Sequence, residues 1–129
     1  ILRLFNVYGN GQKHGVIINF KKNISENTPL IIFGDGTSIR DFIHIDDVID
    51  GVTLSIESES EIYNIASGTG TSISRLAKLL VQISGKNSEI IYKSARTGEI
   101  NYSVADTTKS QTELSFSPKI SLINGLKSL

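Results

Sequence analysis

The chain has 129 residues, 39% of them apolar, and its 13 basic residues balance its 13 acidic ones. This length suits one domain with a modest core, and zero net charge provides no long-range field that would attract nucleic acid or anionic lipid. The absence of cysteine excludes disulfides, thiolate catalysis and thiolate metal sites, and the two histidines lack the spacing of a zinc pair. No apolar run approaches the roughly 20 residues of a membrane span, and no leader precedes the first strand. We therefore expect a cytoplasmic protein without metal, nucleic-acid or membrane partners.

Residues 1–5 (ILRLF) predict a strand of β-branched and aromatic side chains with no turn or cap before it. A natural domain seldom starts in the middle of a strand, and the first residue is not methionine. We therefore expect the chain to be a piece of a longer protein, cut within or just before a sheet strand.

Helix and strand signals alternate along the first half of the chain. Apolar residues at Val16, Ile17, Phe20 and Ile24 recur at helical spacing, and Pro29 ends that pattern. The predicted elements are a loop over 6–15, a helix over 16–26, a strand over 30–33 closed by a Gly-Asp-Gly turn over 34–36, a strand over 39–45, and a helix capped by Asp46 or Asp47.

The second half contains the clearest helical pattern. Ser72 is a typical N-cap, apolar residues between 73 and 84 fall near one face, and Gly85 stops the helix. The predicted elements are a strand over 61–65, a turn-rich segment over 66–71, a helix over 73–84, a strand over 89–92, a helix from its cap Asp106 to Leu114, and a short helical segment that Ser121 opens. We therefore expect the mixed α/β class, with short strands and about four helices.

Short motifs occur in a fixed order over nearly the whole chain. They are RLFNVYG (3–9), GVI (15–17), PLIIFGDG (29–36), RDF (40–42), DDV (46–48), YNIASG (63–68) and ARTGE (95–99). In this order and spacing they resemble the C-terminal half of the NAD-dependent nucleotide-sugar epimerase and dehydratase family, the extended short-chain dehydrogenases. The resemblance implies a small C-terminal substrate-binding domain over 1–129, with 1–5 a strand of the sheet of a Rossmann domain that is absent from this chain.

The resemblance implies that the full-length protein is an NAD-dependent nucleotide-sugar epimerase similar to UDP-glucose 4-epimerase. The same portion of a 4,6-dehydratase or decarboxylase stays open as an alternative, as does a non-enzymatic nucleotide- or protein-binding module. The family's catalytic Tyr-x-x-x-Lys pair is missing, because the fourth residue after Tyr8 is Gln12 and the fourth after Tyr92 is Arg96. The family's glycine-rich NAD turn is missing too. We therefore expect NAD to bind mainly to the missing N-terminal domain, and the full-length protein to form a homodimer.

The implied ligand is a nucleoside-diphosphate sugar, a UDP- or dTDP-sugar, whose diphosphate needs guanidinium forks and amide donors. By the resemblance, Arg40 and Arg96 converge on the diphosphate and Asn6 donates to a phosphate oxygen, while Asp41 is expected to orient Arg40. The structural alternative is a surface arginine, or an ion pair of Arg40 with Asp41 or Asp46. For Asn6 the alternative is an Asx turn, which is compatible with the phosphate contact.

The resemblance also places Phe33 against the base, the Ile31 backbone at the base edge, and Glu99 at sugar or ribose hydroxyls. A core phenylalanine and an exposed loop glutamate are the structural alternatives. Val16 begins the helix that covers the nucleotide, and the N-terminal amides of that helix are able to hold phosphate. Gly15, however, stands where some family members have a polar donor.

Overall fold

The computed structural model describes residues 1–58 and 61–129. The described residues form eight strands and five helices, one at each segment for which the sequence predicts a helix, so the mixed α/β class is confirmed. The first half contains β1 Leu2–Leu4, β2 Asn6–Tyr8, α1 Val16–Ser25, β3 Leu30–Phe33, β4 Ile39–His44 and α2 Ile45–Ser55. The second half contains β5 Tyr63–Ile65, β6 Gly70–Ser72, α3 Ile73–Ser84, β7 Ile90–Lys93, β8 Tyr102–Ser103, α4 Thr108–Leu114 and α5 Leu122–Lys127.

The chain folds into two compact units, each assembled from separated segments. The first unit comprises Ile1–Asn10, Asp41–Gly70 and Ser103–Leu129, and the second comprises Gly11–Arg40 and Thr71–Tyr102. Because the segments alternate along the chain, no single cut separates one unit from the other. The expectation of one domain over 1–129 stays a prediction.

Two parallel strand pairs organise the first unit. Strand β1 pairs with β5, and β2 pairs with β4 so that Asn6, Val7 and Tyr8 face Phe42, Ile43 and His44. The prediction of a loop from residue 6 onward was therefore wrong for its first three residues. Their partners lie far away in the sequence, which a local pattern does not reveal.

The core of the first unit lies between α2, β5 and the segment around α4. Its buried side chains are Ile43, Val48, Tyr63, Ile65, Leu114 and Phe116. Helix α2 approaches this core closely at Gly51, where an added Cβ would lie 2.9 Å from Ile65 and 3.2 Å from Phe116. A side chain at this position would require the core to move.

The N-cap of α2 is His44, so the prediction of Asp46 or Asp47 was wrong. The imidazole Nδ1 of His44 accepts the Asp46 N–H at 3.3 Å. Asp47 is buried and accepts the main-chain N–H groups of Lys119 and Ile120 at 2.8 and 3.1 Å. Asp47 therefore anchors the segment before α5 and is not available as a cap.

The second unit packs α1 and α3 against β3, which pairs in parallel with β7. Both helices bury the apolar faces that their spacing predicts. The predicted ends of α3 are confirmed, because the Ser72 hydroxyl accepts the Arg75 N–H and Gly85 adopts the left-handed conformation at a φ of 66°. The turn-rich segment predicted before α3 contains strand β6.

Two helices complete the first unit. The predicted cap of α4 was displaced by one residue: Thr107 is the N-cap, while the Asp106 carboxylate accepts the Thr108 N–H at 2.9 Å. Ser121 caps α5 as predicted, with its hydroxyl accepting the Asn124 N–H. Among the described helices, none is long and apolar enough to cross a membrane.

Candidate functional site

A cleft opens in the second unit where β3 and β7 end. Because the two strands are parallel, the loops that follow them start at the same edge of the sheet. The Gly34 N–H donates to the Lys93 carbonyl at 2.8 Å, and the Ile39 N–H donates to the Asn101 carbonyl at 2.8 Å, so the loops are joined at both ends. Ligands of open parallel sheets bind at this carboxyl edge.

The cleft has a volume of about 540 Å³, which suits a small molecule. Two carboxylates and one guanidinium lie among hydroxyl, amide and main-chain groups. The lining residues are Gly34, Asp35, Thr37, Ser38, Ala95, Arg96, Gly98, Glu99 and Asn101. The cleft is polar, with acidic groups in excess of basic ones.

The loop after β3 is held rigidly against α3. Asp35 accepts the main-chain N–H and the hydroxyl of Thr37 at 2.9 and 2.6 Å, and these hydrogen bonds lower the pKa of Asp35. The carbonyls of Gly36 and Ser38 accept the first main-chain N–H groups of α3, each at 3.0 Å. Gly36 has a φ of 77°, and an added Cβ there would lie 3.0 Å from Ser74. One wall of the cleft is therefore fixed by the helix.

Arg96 and Phe33 are in contact beside the cleft. The guanidinium carbon lies 3.7 Å from the ring centroid, a cation–π arrangement. Phe33 is half-buried, whereas Arg96 is exposed. A turn joins Arg96 to Glu99, because the Glu99 N–H donates to the Arg96 carbonyl at 3.3 Å. The aromatic face, the guanidinium and the carboxylate thus belong to one continuous surface.

Strand β3 presents main-chain groups at its second edge. The N–H groups of Leu30 and Gly34 donate towards β7, to the carbonyls of Glu89 and Lys93. Since hydrogen-bonding direction alternates along a strand, the N–H and C=O groups of Ile31 and Phe33 point to the opposite edge. A flat ligand on that edge would meet alternating donors and acceptors.

Arg40 is half-buried in the second unit and does not line the cleft. Its guanidinium donates to the Ile39 carbonyl at 2.9 Å. The expectation that Asp41 orients this guanidinium was wrong. The Asp41 carboxylate is fully buried and accepts the main-chain N–H groups of Ser67, Gly68 and Ala105 and the Ser67 hydroxyl, four donors that together satisfy a buried charge.

The remaining predicted residues lie at two other places. Asn6 belongs to the first unit, where its Nδ2 donates to the Asp41 carbonyl at 2.7 Å. Val16 is the first residue of α1, whose N-cap Gly15 has no side-chain hydrogen bond. Of the predicted residues, Arg96 and Glu99 thus line the cleft. Phe33 does not line it but contacts Arg96.

The sequence reasoning missed the polar residues Asp35, Thr37, Ser38 and Asn101. The Asp-x-Thr pattern after Gly34 is a signal for the turn that places the first three in the cleft. No comparable local signal exists for Asn101, which precedes the unpredicted strand β8.

Residues 68–72 do not form a dinucleotide-binding loop. Strand β6 begins at the second glycine, Gly70, and leads directly into α3, which the Ser72 side chain caps. The first three N–H groups of α3 donate to the carbonyls of Ser38 and Gly36 and to the Ser72 hydroxyl. This segment therefore does not fit the pyrophosphate of NAD.

The fold and the cleft define a mixed α/β protein with a polar, ligand-sized cleft at the carboxyl ends of two parallel strands. The model of the NAD dependent epimerase/dehydratase family matches residues 1–66. The chain belongs to this family, and the resemblance carried by its motifs is confirmed.

Three of the proteins similar to this chain are nucleotide-sugar epimerases. The UDP-glucuronate 4-epimerase of Thermodesulfobacterium geofontis is 35% identical over 98% of this chain and 40% of its own length. The UDP-glucose 4-epimerase of Thermotoga maritima, solved with UDP-glucose, has a TM-score of 0.92 and 38% identity over 98% of this chain and 43% of that one. The UDP-glucuronic acid 4-epimerase of Bacillus cereus, solved with UDP-glucuronic acid and NAD, has a TM-score of 0.92 and 37% identity over 98% of this chain and 42% of that one. The chain thus spans less than half the length of these proteins.

Proposed function

We propose that this chain is the nucleotide-sugar-binding part of an NAD-dependent nucleoside-diphosphate-sugar epimerase. The observation that carries the proposal is the surface at the carboxyl ends of β3 and β7, where Phe33, Arg96 and Glu99 occur together. An aromatic ring can stack on a nucleobase, a guanidinium can bind a diphosphate, and a carboxylate can accept the hydroxyls of a diol.

Phe33 and the main chain of Ile31 bind the base in this proposal. The half-buried ring offers a stacking surface, and the outer edge of β3 offers the donors and acceptors that a uracil or thymine edge needs. The Arg96 guanidinium covers one face of the ring at 3.7 Å. We propose that Arg96 moves from the ring to the diphosphate when the nucleotide binds, because a charge-assisted bond to phosphate is stronger than an exposed cation–π contact.

Glu99 and Asp35 bind hydroxyl groups. The cleft holds two carboxylates against one guanidinium, so its centre disfavours a phosphate and favours the hydroxyls of a ribose or hexose. A carboxylate has two acceptor oxygens and matches a vicinal diol. This charge balance supports placing the diphosphate at the rim, next to Arg96.

Arg40, Asn6 and Val16 complete the proposed ligand set. Arg40 has further guanidinium donors besides the one that contacts Ile39, and Asn6 keeps a second Nδ2 hydrogen besides the one given to Asp41. The first main-chain N–H groups of α1, starting with that of Val16, have no hydrogen-bond acceptor within the helix.

NAD and the catalytic residues belong to another part of the full-length protein. This proposal places 1–129 as the C-terminal substrate-binding domain and joins β1 to the sheet of a Rossmann domain in cis. NAD supplies hydride acceptance and return at the sugar, while the residues described here bind and orient the nucleotide. A homodimer in the cytoplasm is part of the same proposal.

Incubation of the full-length protein with NAD and UDP-glucose or UDP-glucuronic acid tests the function. An epimerase yields a product of unchanged mass, which chromatography separates from the substrate. A product lighter by water would indicate a dehydratase, and one lighter by carbon dioxide a decarboxylase. If calorimetry detects no binding of UDP or of either sugar nucleotide, the proposal fails.

A further inference from the structure

Asp41 is a buried carboxylate that is satisfied entirely by hydrogen bonds. One oxygen accepts the Ser67 N–H at 2.9 Å and the Ser67 hydroxyl at 2.6 Å. The other accepts the N–H groups of Gly68 at 2.9 Å and Ala105 at 3.3 Å. A charge with 0% exposure needs such partners, and these come from two separate segments of the first unit.

The same residue holds Asn6 through its main chain. The Asn6 Nδ2 donates to the Asp41 carbonyl at 2.7 Å, which fixes the plane of the carboxamide. Because the Asp41 carboxylate is clamped by Ser67, Gly68 and Ala105, the carbonyl beside it has little freedom to turn. The direction of the second Nδ2 hydrogen of Asn6 is therefore set by the surroundings of Asp41.

The cluster of Asn6, Asp41, Ser67 and Gly68 lies where two parallel strands end. Asn6 follows β1 after one residue, and Ser67 follows β5 after one residue. The carboxyl edge of a parallel pair is the usual position of a ligand. Asn6 is exposed at this edge, whereas the Asp41 side chain beneath it is not.

We propose that Asp41 is a positioning residue that aims the Asn6 carboxamide at the diphosphate of the nucleotide sugar. This proposal rests on the function proposed above. Asp41 contacts no ligand itself, and its effect on binding passes through Asn6. There are two alternative explanations: Asp41 has a purely structural role, or it acts on binding through its sequence neighbour Arg40.

Asp47 provides a matched control for the structural role. It is an aspartate of the same unit with 2% exposure, and its carboxylate also accepts two main-chain N–H groups. Its partners Lys119 and Ile120 lie outside the proposed site. Asp41→Asn and Asp47→Asn should both lower the urea concentration at which the full-length protein unfolds.

Binding of UDP and uridine, measured by calorimetry on the full-length protein, separates positioning from stability. Asp41→Asn should raise the dissociation constant for UDP about tenfold and leave that for uridine within about twofold, because the diphosphate alone meets Asn6. Asp47→Asn should leave both dissociation constants unchanged. Equal effects of the two substitutions on UDP would overturn the proposal.

A double-mutant cycle tests the route of the effect. If Asp41 acts through Asn6, Asn6→Ala with Asp41→Asn should bind UDP no more weakly than Asn6→Ala alone. If the two substitutions instead multiply each other's effect on the UDP dissociation constant, Asp41 acts independently of Asn6, for example through Arg40, and the proposal is contradicted. If Asp41→Asn does not fold, Ser67→Ala removes one donor to the carboxylate, and a UDP affinity equal to wild type would then overturn the proposal. Wild-type protein that binds no UDP would refute the proposed function itself.

Discussion

The guanidinium carbon of Arg96 lies 3.7 Å from the centroid of the Phe33 ring. The parallel register explains how residues so far apart in sequence meet, because Phe33 faces Lys93 and Arg96 follows three residues later. The Arg96–Glu99 turn then directs the chain into the cleft. Strand pairing, and not the loop alone, therefore brings the aromatic and charged groups together.

Replacing Arg96 by alanine should separate base binding from diphosphate binding. The binding free energy of UDP should weaken by about 2 kcal/mol, because a charged donor to phosphate is lost. Uridine should bind as in wild type or slightly more tightly, since the ring of Phe33 is uncovered. Calorimetry on the full-length protein measures both ligands.

The exposed Lys93 provides the control for Arg96 because it is a cation on the neighbouring strand. Lys93→Ala should change UDP binding by less than about 0.5 kcal/mol. An equal loss of uridine and UDP binding in Arg96→Ala would show that the guanidinium supports the ring and does not reach the diphosphate.

Glu99→Gln should reduce discrimination between ribose and deoxyribose nucleotides. The half-buried carboxylate lies in the cleft, and a hydrogen bond to a charged acceptor contributes about 1.5 kcal/mol. UDP should therefore bind more weakly by roughly that amount, while 2′-deoxy-UDP should change by less than about 0.5 kcal/mol. Glu89→Gln, at the amino end of β7, is the control and should affect neither nucleotide. Parallel losses for both nucleotides would place Glu99 away from the ribose.

Local signals predicted the second unit well and the first unit less well. Helix α3 has a cap at Ser72, one apolar face and a left-handed Gly85, all within a continuous segment. Strand β2 depends on pairing with residues 42–44. Helix α2 begins at Ile45, so His44 is its cap, while Asp47 in its first turn is engaged by the distant N–H groups of Lys119 and Ile120. Contacts over long sequence separations decided these elements, and no local pattern encodes them.

The sequence motifs include two residues that line the candidate cleft, whereas residues that only the folded geometry brings there were missed. The motif ARTGE places Arg96 and Glu99, both of which line the cleft. Asn101 reaches the cleft because its carbonyl accepts the Ile39 N–H. The role of Asp41 was mistaken because the nearest charged neighbour in sequence, Arg40, is not the partner that satisfies a buried carboxylate.

Gly125→Ala should destabilise the protein although alanine favours helices. An added Cβ in α5 would clash with the Tyr8 hydroxyl and lie 2.9 Å from two carbons of the ring. Overpacking of this kind costs about 1–3 kcal/mol, which exceeds the helix-propensity gain of about 1 kcal/mol. Urea unfolding of the full-length protein measures the loss, and Asn124→Ala on the exposed face of the same helix is the control. A variant as stable as wild type would show that Tyr8 moves aside freely.

Tyr8→Phe should leave the free energy of unfolding at pH 7 unchanged or raise it by up to about 1 kcal/mol. The ring is 1% exposed and packs edge-on against His44 at 5.3 Å between centroids. Within the described residues the hydroxyl has no hydrogen-bond partner, so its removal relieves an unsatisfied buried group. A loss of more than about 1 kcal/mol would contradict this account and reveal a partner for the hydroxyl. Tyr92→Phe, at an exposed ring, is the control at pH 7 and should be neutral.

Alkaline unfolding provides a second measurement on Tyr8→Phe. Burial, and to a smaller extent the charge of Asp47, raise the pKa of Tyr8 to about 12. In the unfolded chain the phenol ionises near pH 10, so between about pH 10 and 12 the native state keeps a proton that the unfolded state has lost. The free energy of unfolding of wild type should therefore fall through this window, by up to about 1.4 kcal/mol per pH unit from this group. Tyr8→Phe lacks the phenol, so its stability relative to wild type should rise between pH 10 and 11, and a constant difference over that range would show that the hydroxyl ionises equally in both states.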